Sequence, residues 1–345
     1  MKRLLFIIVI LAMCVPVHAL TYNAADRQTF NNGYQWGGHP QKDRATIWAQ
    51  EIQAAVEVGG QLGLGKIWYV NSGRSVSGDG KSFSRAVITL KEADVLSLAD
   101  GGANRGDYIM LAQNHGETLS AADAVDLTTA GITVIGIGKG TDMPTFTYEA
   151  LAGEFVVGAA NIVIYNLRFV TGTEITMGIS VEAAGDNCTI IACEWPEPAF
   201  ITDAFLDAID LAAGANDFRI YNCIYRHTST TGPNHFIEAG NGANNNMKIV
   251  GNDIQGEFAI SAIWSDTVDE DAVISRNIIR NKTAGQHAIE FTAAATGLIT
   301  YNTIATNATA TSIDPGSMML IENYVGIAVD VSGTRQPPLT QQEKN

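Results

Sequence analysis

From Tyr108 to about Val331 the chain is a succession of short apolar runs, each closed by Asn, Gly, Asp or Thr. Val, Ile, Tyr and Phe fill these runs, and a helical 3.6-residue spacing is missing, so the pattern predicts many short strands. Two series of runs recur in step. One carries an asparagine: Ile-Tyr-Asn166, Ile-Tyr-Asn222, Val-Gly-Asn252, Ser-Arg-Asn277, Thr-Tyr-Asn302 and Ile-Glu-Asn323, with Ile-Ile-Ala192 filling the gap. The other carries an isoleucine and runs a little ahead: Gly-Ile179-Ser, Ala-Ile209-Asp, Phe-Ile237-Glu, Ala-Ile263-Trp and Ala-Ile289-Glu. Spacings of 21 to 30 residues, with loops absorbing the differences, describe a coil whose laps stack and share one core. Leucine-rich repeats have a similar period, but their Leu-x-x-Leu-x-Leu pattern is absent.

Helical patterning is confined to the front of the chain. Residues 20–65 hold one stretch that Asp43 can cap, with Ile47, Trp48, Ile52, Ala55 and Val56 on its apolar side. After the strand Lys66–Val70 and a Gly/Ser loop, Ser84 is positioned to cap a second helix carrying Val87, Leu90, Ala93 and Leu96. Residues 66–106 therefore read as an entry and capping helix, 107–332 as the coil, and 333–345, with Pro337-Pro338, as a disordered tail.

In a stacked coil, equivalent residues lie about 4.8 Å apart and form files. The asparagines predict a ladder of side-chain amides at a tight bend. Cys193 and Cys223 fall in the same file, where parallel vectors suit stacked buried thiols better than a disulfide. If the isoleucines point inward, period-two alternation sets the next residues outward in one row: Ser180, Asp210, Glu238, Trp264 and Glu290. Asp210 and Glu238 are then adjacent carboxylates with an indole one lap on. Stacked carboxylates repel, raise one pKa and invite a cation, and an aromatic face beside them suits a sugar ring. Asp210, Glu238, Trp264 and Glu290 are thus the candidate glycan contacts. Asp207, His235, Ser261 and His287 form a second file whose order suggests Ser/His/Asp chemistry, but files set side chains parallel instead of converging. Asp203, Arg226 and His227 lie on the flanks and could add to a cleft. The acidic run Asp266 to Asp271 reads as a solvated loop without the spacing of a calcium loop, and the stretch Asn241 to Asn246 as a Gly/Asn turn. No cofactor is expected and no metal-ligand spacing occurs; whether Ca²⁺ bridges the carboxylates is open.

Charge and the N-terminus narrow the setting. Thirty-six acidic against 21 basic residues give a net charge of −15, which disfavours nucleic acid as a partner. Lys2 and Arg3, the apolar run Leu4 to Met13 and Val17-His18-Ala19 predict a secretory signal, residues 1–19, cut after Ala19. A rival lipoprotein-like cut before Cys14 has bulky Met13 where a small residue is usual. No later apolar run reaches the length of a membrane span.

The strand Trp68-Tyr69-Val70, the Gly-Asp-Gly80 loop, the capping helix, Gly106-Asp107-Tyr108-Ile109-Met110-Leu111 and Gly-Ile-Thr-Val-Ile-Gly136 together resemble the right-handed parallel β-helix superfamily, the pectate-lyase-like fold of secreted and phage-encoded proteins. The resemblance spans Gly65 to Val331 and implies an all-β, right-handed parallel β-helix solenoid. By analogy it also implies a homo-oligomer, a trimer in phage members. It does not carry an activity. The lyase signatures Trp-Ile-Asp-His and Arg-x-Pro-x-x-Arg do not occur, nor do the polygalacturonase signatures Asn-Thr-Asp, Asp-Asp, Gly-His-Gly and Arg-Ile-Lys. Two functions follow as expectations: a secreted or virion-surface attachment protein presenting one face to glycans or like subunits, or a lyase or hydrolase acting on an extracellular polysaccharide.

Overall fold

A computed structural model describes residues 65–199, 203–228, 232–292, 294–307, 312–327 and 340–342. The predicted signal segment, all but the last residue of the predicted helical stretch 20–65 and most of the predicted tail lie outside the described residues. What is described is a parallel β-solenoid. Its strands form three sheets, two of ten strands and one of eight; apart from the entry strand Ile67–Val70, which pairs with the next strand Tyr108–Leu111, parallel neighbours are never consecutive in sequence, and each strand pairs with its counterparts one lap before and after. Among the described residues the one antiparallel pairing sets Thr340–Gln342 beside Asn323–Ile327. Among the described residues no helix is long and apolar enough to cross a membrane.

Each lap runs through the first sheet, turns a corner into the second, and crosses a loop to the third. Inward files fill the interior because equivalent positions are apolar on every lap. In the first sheet Ile164, Ile190, Ile220, Ile249, Ile274 and Ile299 stack in register and are fully buried. The second sheet changes character along the coil. Phe146, Phe169 and Trp195 stack with ring planes 23° apart, then Tyr225 gives way to Ile254, Ile279 and Ile304. In the third sheet Ile179, Ile209, Ile237, Ile263 and Ile289 form the predicted file. Burying each of these side chains stabilises the fold by about 1.5–3 kcal/mol before entropy is counted.

The amide ladder exists, but one residue out of the expected register at its front. Asn252, Asn277, Asn302 and Asn323 stack at the corner between the first and second sheets. Asn252 Nδ2 donates to Asn277 Oδ1 at 3.0 Å, Asn277 Nδ2 to Asn302 Oδ1 at 3.0 Å, and Asn302 Nδ2 to Asn323 Oδ1 at 2.9 Å. Each Oδ1 also accepts the backbone N–H of the lap before. Cys223 and Cys193 continue this file as free, buried thiols: Cys223 N donates to Asn252 Oδ1 at 2.9 Å, and Cys193 N to Cys223 Sγ at 3.3 Å. Asn166 and Asn222 sit one position earlier, in the file of Gly251, Arg276 and Tyr301. That file turns the corner with positive φ, 60° at Asn166 and 54° at Asn222, a conformation asparagine tolerates.

At the coil's mouth, the helix starts later than expected. Phe83–Arg85 is a 3₁₀ turn and Val87 bridges to Val70, so Ser84 does not cap. The helix α1 (Leu90–Ala99) is capped by Thr89, with Glu92 completing a capping box. Asp107, fully buried, ties this entry together. Its carboxylate accepts from Trp68 Nε1 (3.0 Å), Ser97 Oγ (2.7 Å), Lys66 N (2.8 Å), and Arg105 Nε and Nη2 (2.7 and 2.6 Å).

Candidate functional site

The third sheet brings together residues that simple alternation would separate. On successive laps it carries two consecutive inward residues: Ala208-Ile209, Phe236-Ile237, Ala262-Ile263 and Ala288-Ile289, all buried. The lap-to-lap pairing passes over the first of each pair, joining Asp207 to His235, Ile209 to Ile237 and Asp210 to Glu238. A doubled inward step resets the parity, so residues three apart flank it on one face. Two outward files therefore converge: Asp207, His235, Ser261, His287 and Asp210, Glu238, Trp264, Glu290. The expectation that files keep side chains parallel and apart is corrected here.

The convergence is tightest at the laps of Asp207 and His235. His235 Nδ1 hydrogen-bonds Asp207 Oδ1 at 2.6 Å, and its ring stacks on Trp264, centroids 4.9 Å apart and planes 16° apart. One donor atom each from Asp207, His235 and Glu238 lies within 4.8 Å of the other two. Asp210 and Glu238 share a side-chain hydrogen bond, and Asn241 Nδ2 clamps Asp210 Oδ1 at 2.6 Å. The Asn241 loop approaches closely because of Gly240: a Cβ there would lie 2.1 Å from Cζ3 of Trp264. Glu290, next to Trp264 in the row, turns toward His287 Nδ1 at 3.3 Å.

Burial and mutual repulsion raise both carboxyls of the pair. Glu238 is pushed up to about 7, first by desolvation and then by the Asp207 and Asp210 charges. Asp210 is raised by desolvation and by Asp207. Among the described residues no Lys or Arg pairs with Asp207, Asp210 or Glu238. The patch is thus three carboxyl groups and one imidazole around a partly exposed indole. It can hold a cation or a neutral polyhydroxyl ligand, and it opposes an anion.

All four predicted contacts lie in one row, and Asp210, Glu238 and Trp264 belong to the convergent cluster. Sequence reasoning missed Asn241, and it placed Asp207 and His235 in a separate file. The recurring apolar doublets before Asp210, Glu238, Trp264 and Glu290 were the signal. The Ser/His/Asp arrangement is absent, because Ser261 Oγ bonds Ile263 O at 3.2 Å and not an imidazole. Arg226 and His227 belong to a strand, Ile224–His227; Arg226 pairs with Asp253 and His227 is buried. Asp269 is no solvated loop residue: it is buried and accepts from Asn244 N (2.7 Å) and Ser265 Oγ (2.5 Å). No family model, no curated protein and no solved structure matches this chain.

Proposed function

We propose that this protein is an extracellular attachment protein, secreted or carried on a virion surface, that holds a glycan along the outer face of its third sheet. The observation carrying this reading is the indole of Trp264, backed by His235 and set in register between Glu238 and Glu290. An indole supplies an apolar platform for a sugar ring, and flanking carboxylates accept hydrogen bonds from its hydroxyls. Stacking sets Asp210, Glu238, Trp264 and Glu290 on successive laps ~4.8 Å apart, which suits a chain-like ligand lying along the coil axis. The likeness to pectate-lyase-like β-helices supports this as analogy only. The acidic surface favours neutral or basic glycans over uronates.

The test is a glycan screen with the intact protein, Trp264→Ala and Glu238→Gln. Loss of a central aromatic contact is expected to weaken binding by about 30-fold, corresponding to ~2 kcal/mol. Equal binding by the protein and both variants, or no binding across neutral, basic and acidic glycans, would remove the reading. Release of new reducing or unsaturated ends would instead establish the polysaccharide-cleaving alternative.

A further inference from the structure

We propose that Asp207, His235 and Glu238 form a binding site for a first-row divalent transition-metal ion, with Zn²⁺ as the best-fitting member. This goes beyond the glycan reading and does not depend on it.

Three observations carry the inference. The first is geometric. Donor atoms from these three side chains, drawn from two adjacent laps, already lie within 4.8 Å of one another. A tetrahedral ion about 2.0–2.2 Å from each ligand needs donors roughly 3.4 Å apart. Side-chain rotation covers the difference, because the backbones are fixed by the parallel pairing of Asp207 with His235 and Asp210 with Glu238. The second is charge. Three carboxyl groups converge with no Lys or Arg paired to them among the described residues, so a divalent ion would relieve both repulsion and desolvation. The third is an unmet hydrogen-bonding need within the cluster itself. The His235 side chain is only 4% exposed; its Nδ1 is held by Asp207 Oδ1 at 2.6 Å, and its Nε2, with no hydrogen-bond partner, is the nitrogen left to ligate an ion. A buried imidazole nitrogen without a partner is costly unless something ligates it.

The donor set selects the ion. Ca²⁺ takes six to eight oxygens and Mg²⁺ prefers octahedral oxygen and water, whereas mixed imidazole and carboxylate suits Zn²⁺ and its first-row neighbours. The remaining position would be left to water or ligand. Asn241 stands behind this set: its Nδ2 donates to Asp210 Oδ1 at 2.6 Å and fixes the second carboxyl beside Glu238, the type of outer contact that orders a metal site.

The full chain is stripped with chelator and titrated calorimetrically with ZnCl₂, MnCl₂ and CaCl₂. Bound metal is then counted after equilibrium dialysis. One Zn²⁺ per chain is expected, with a Kd of about 10 μM or tighter. Both His235→Ala and Glu238→Gln should weaken binding by at least about 100-fold, while His287→Ala should not. Glu238→Gln replaces a partly exposed group nearly isosterically, so it tests the site even if His235→Ala fails to fold. Absence of saturable Zn²⁺ binding, unchanged affinity in Glu238→Gln, or Ca²⁺ binding as tightly as Zn²⁺ would overturn the proposal. A chain that takes up Zn²⁺ but no glycan would sustain this site while removing the attachment reading.

Discussion

Replacing Asn277 by Leu isolates what the amide ladder contributes. Asn277 lies inside the file, with a lap of ladder on either side. Its Oδ1 accepts from both the backbone N–H and Nδ2 of Asn252, at 2.9 and 3.0 Å. Its Nδ2 donates to Ile249 O at 2.8 Å and Asn302 Oδ1 at 3.0 Å. Leucine of similar volume removes all four. The Asn252 N–H is then orphaned in a buried corner, which costs about 1–3 kcal/mol, and the other lost bonds add roughly 1 kcal/mol net between them. A destabilisation of about 3 kcal/mol is expected, lowering the urea midpoint at unchanged slope. Asn222 is the internal control, because it holds the exposed corner position with φ of 54° and not the ladder position. Asn222→Gly keeps that backbone conformation at no steric cost and should stay within about 0.5 kcal/mol of the parent. Equal midpoints for Asn277→Leu and the parent, or an Asn222→Gly loss as large as that of Asn277→Leu, would refute the register argument.

Two further outcomes follow from the same contacts. Cys223→Asn should be tolerated, with a midpoint at or above the parent's, since Cys223 Sγ already occupies the acceptor position facing Cys193 N; a drop as large as that of Asn277→Leu would show that the ladder cannot extend past Asn252. At the coil's mouth, burial alone would raise the Asp107 carboxyl, but its bonds from Arg105, Trp68, Ser97 and Lys66 outweigh that and hold it down to about 2. A depressed carboxyl contributes stability above its unfolded pKa, near 3.9, and loses it as pH falls toward 2; the contribution is about 2.5 kcal/mol. Urea midpoints between pH 6 and 2 should therefore fall less in Asp107→Asn than in the parent, and parallel profiles would exclude Asp107 as the acid-sensitive tie.

The repeat was legible because the isoleucine file is apolar on every lap, and each lap must close its core against the next. The same regularity exposed the row from Asp210 to Glu290. The asparagines misled because two adjacent corner positions accept that residue for different reasons. One needs tolerance of positive φ and holds Asn166 and Asn222; the next needs a buried amide and holds Asn252 onward. The core residue three positions earlier sets the register correctly: Ile220 precedes Cys223 as Ile249 precedes Asn252 and Ile274 precedes Asn277. The helix start was readable too. Thr89-Leu-Lys-Glu92 spells a capping box, a stronger signal than a lone Ser84.

What alternation could not reach is the convergence at Asp207, His235 and Glu238, and its cause explains why a periodic scaffold carries a local site. The doubled inward step recurs on every lap from Ala208 to Ala288, so the backbone offers the same pair of flanking outward positions again and again. Which laps become chemical depends on what occupies those positions. At Met177 and Ser180 they hold a thioether and a hydroxyl, and nothing accumulates. At Asp207 and Asp210, then His235 and Glu238, three carboxyls and an imidazole meet across one lap spacing, and Trp264 closes the next. The stacking distance turns a one-residue substitution on one lap into a contact with the next. Local chemistry here is thus written by breaks in composition along files that the fold itself keeps uniform.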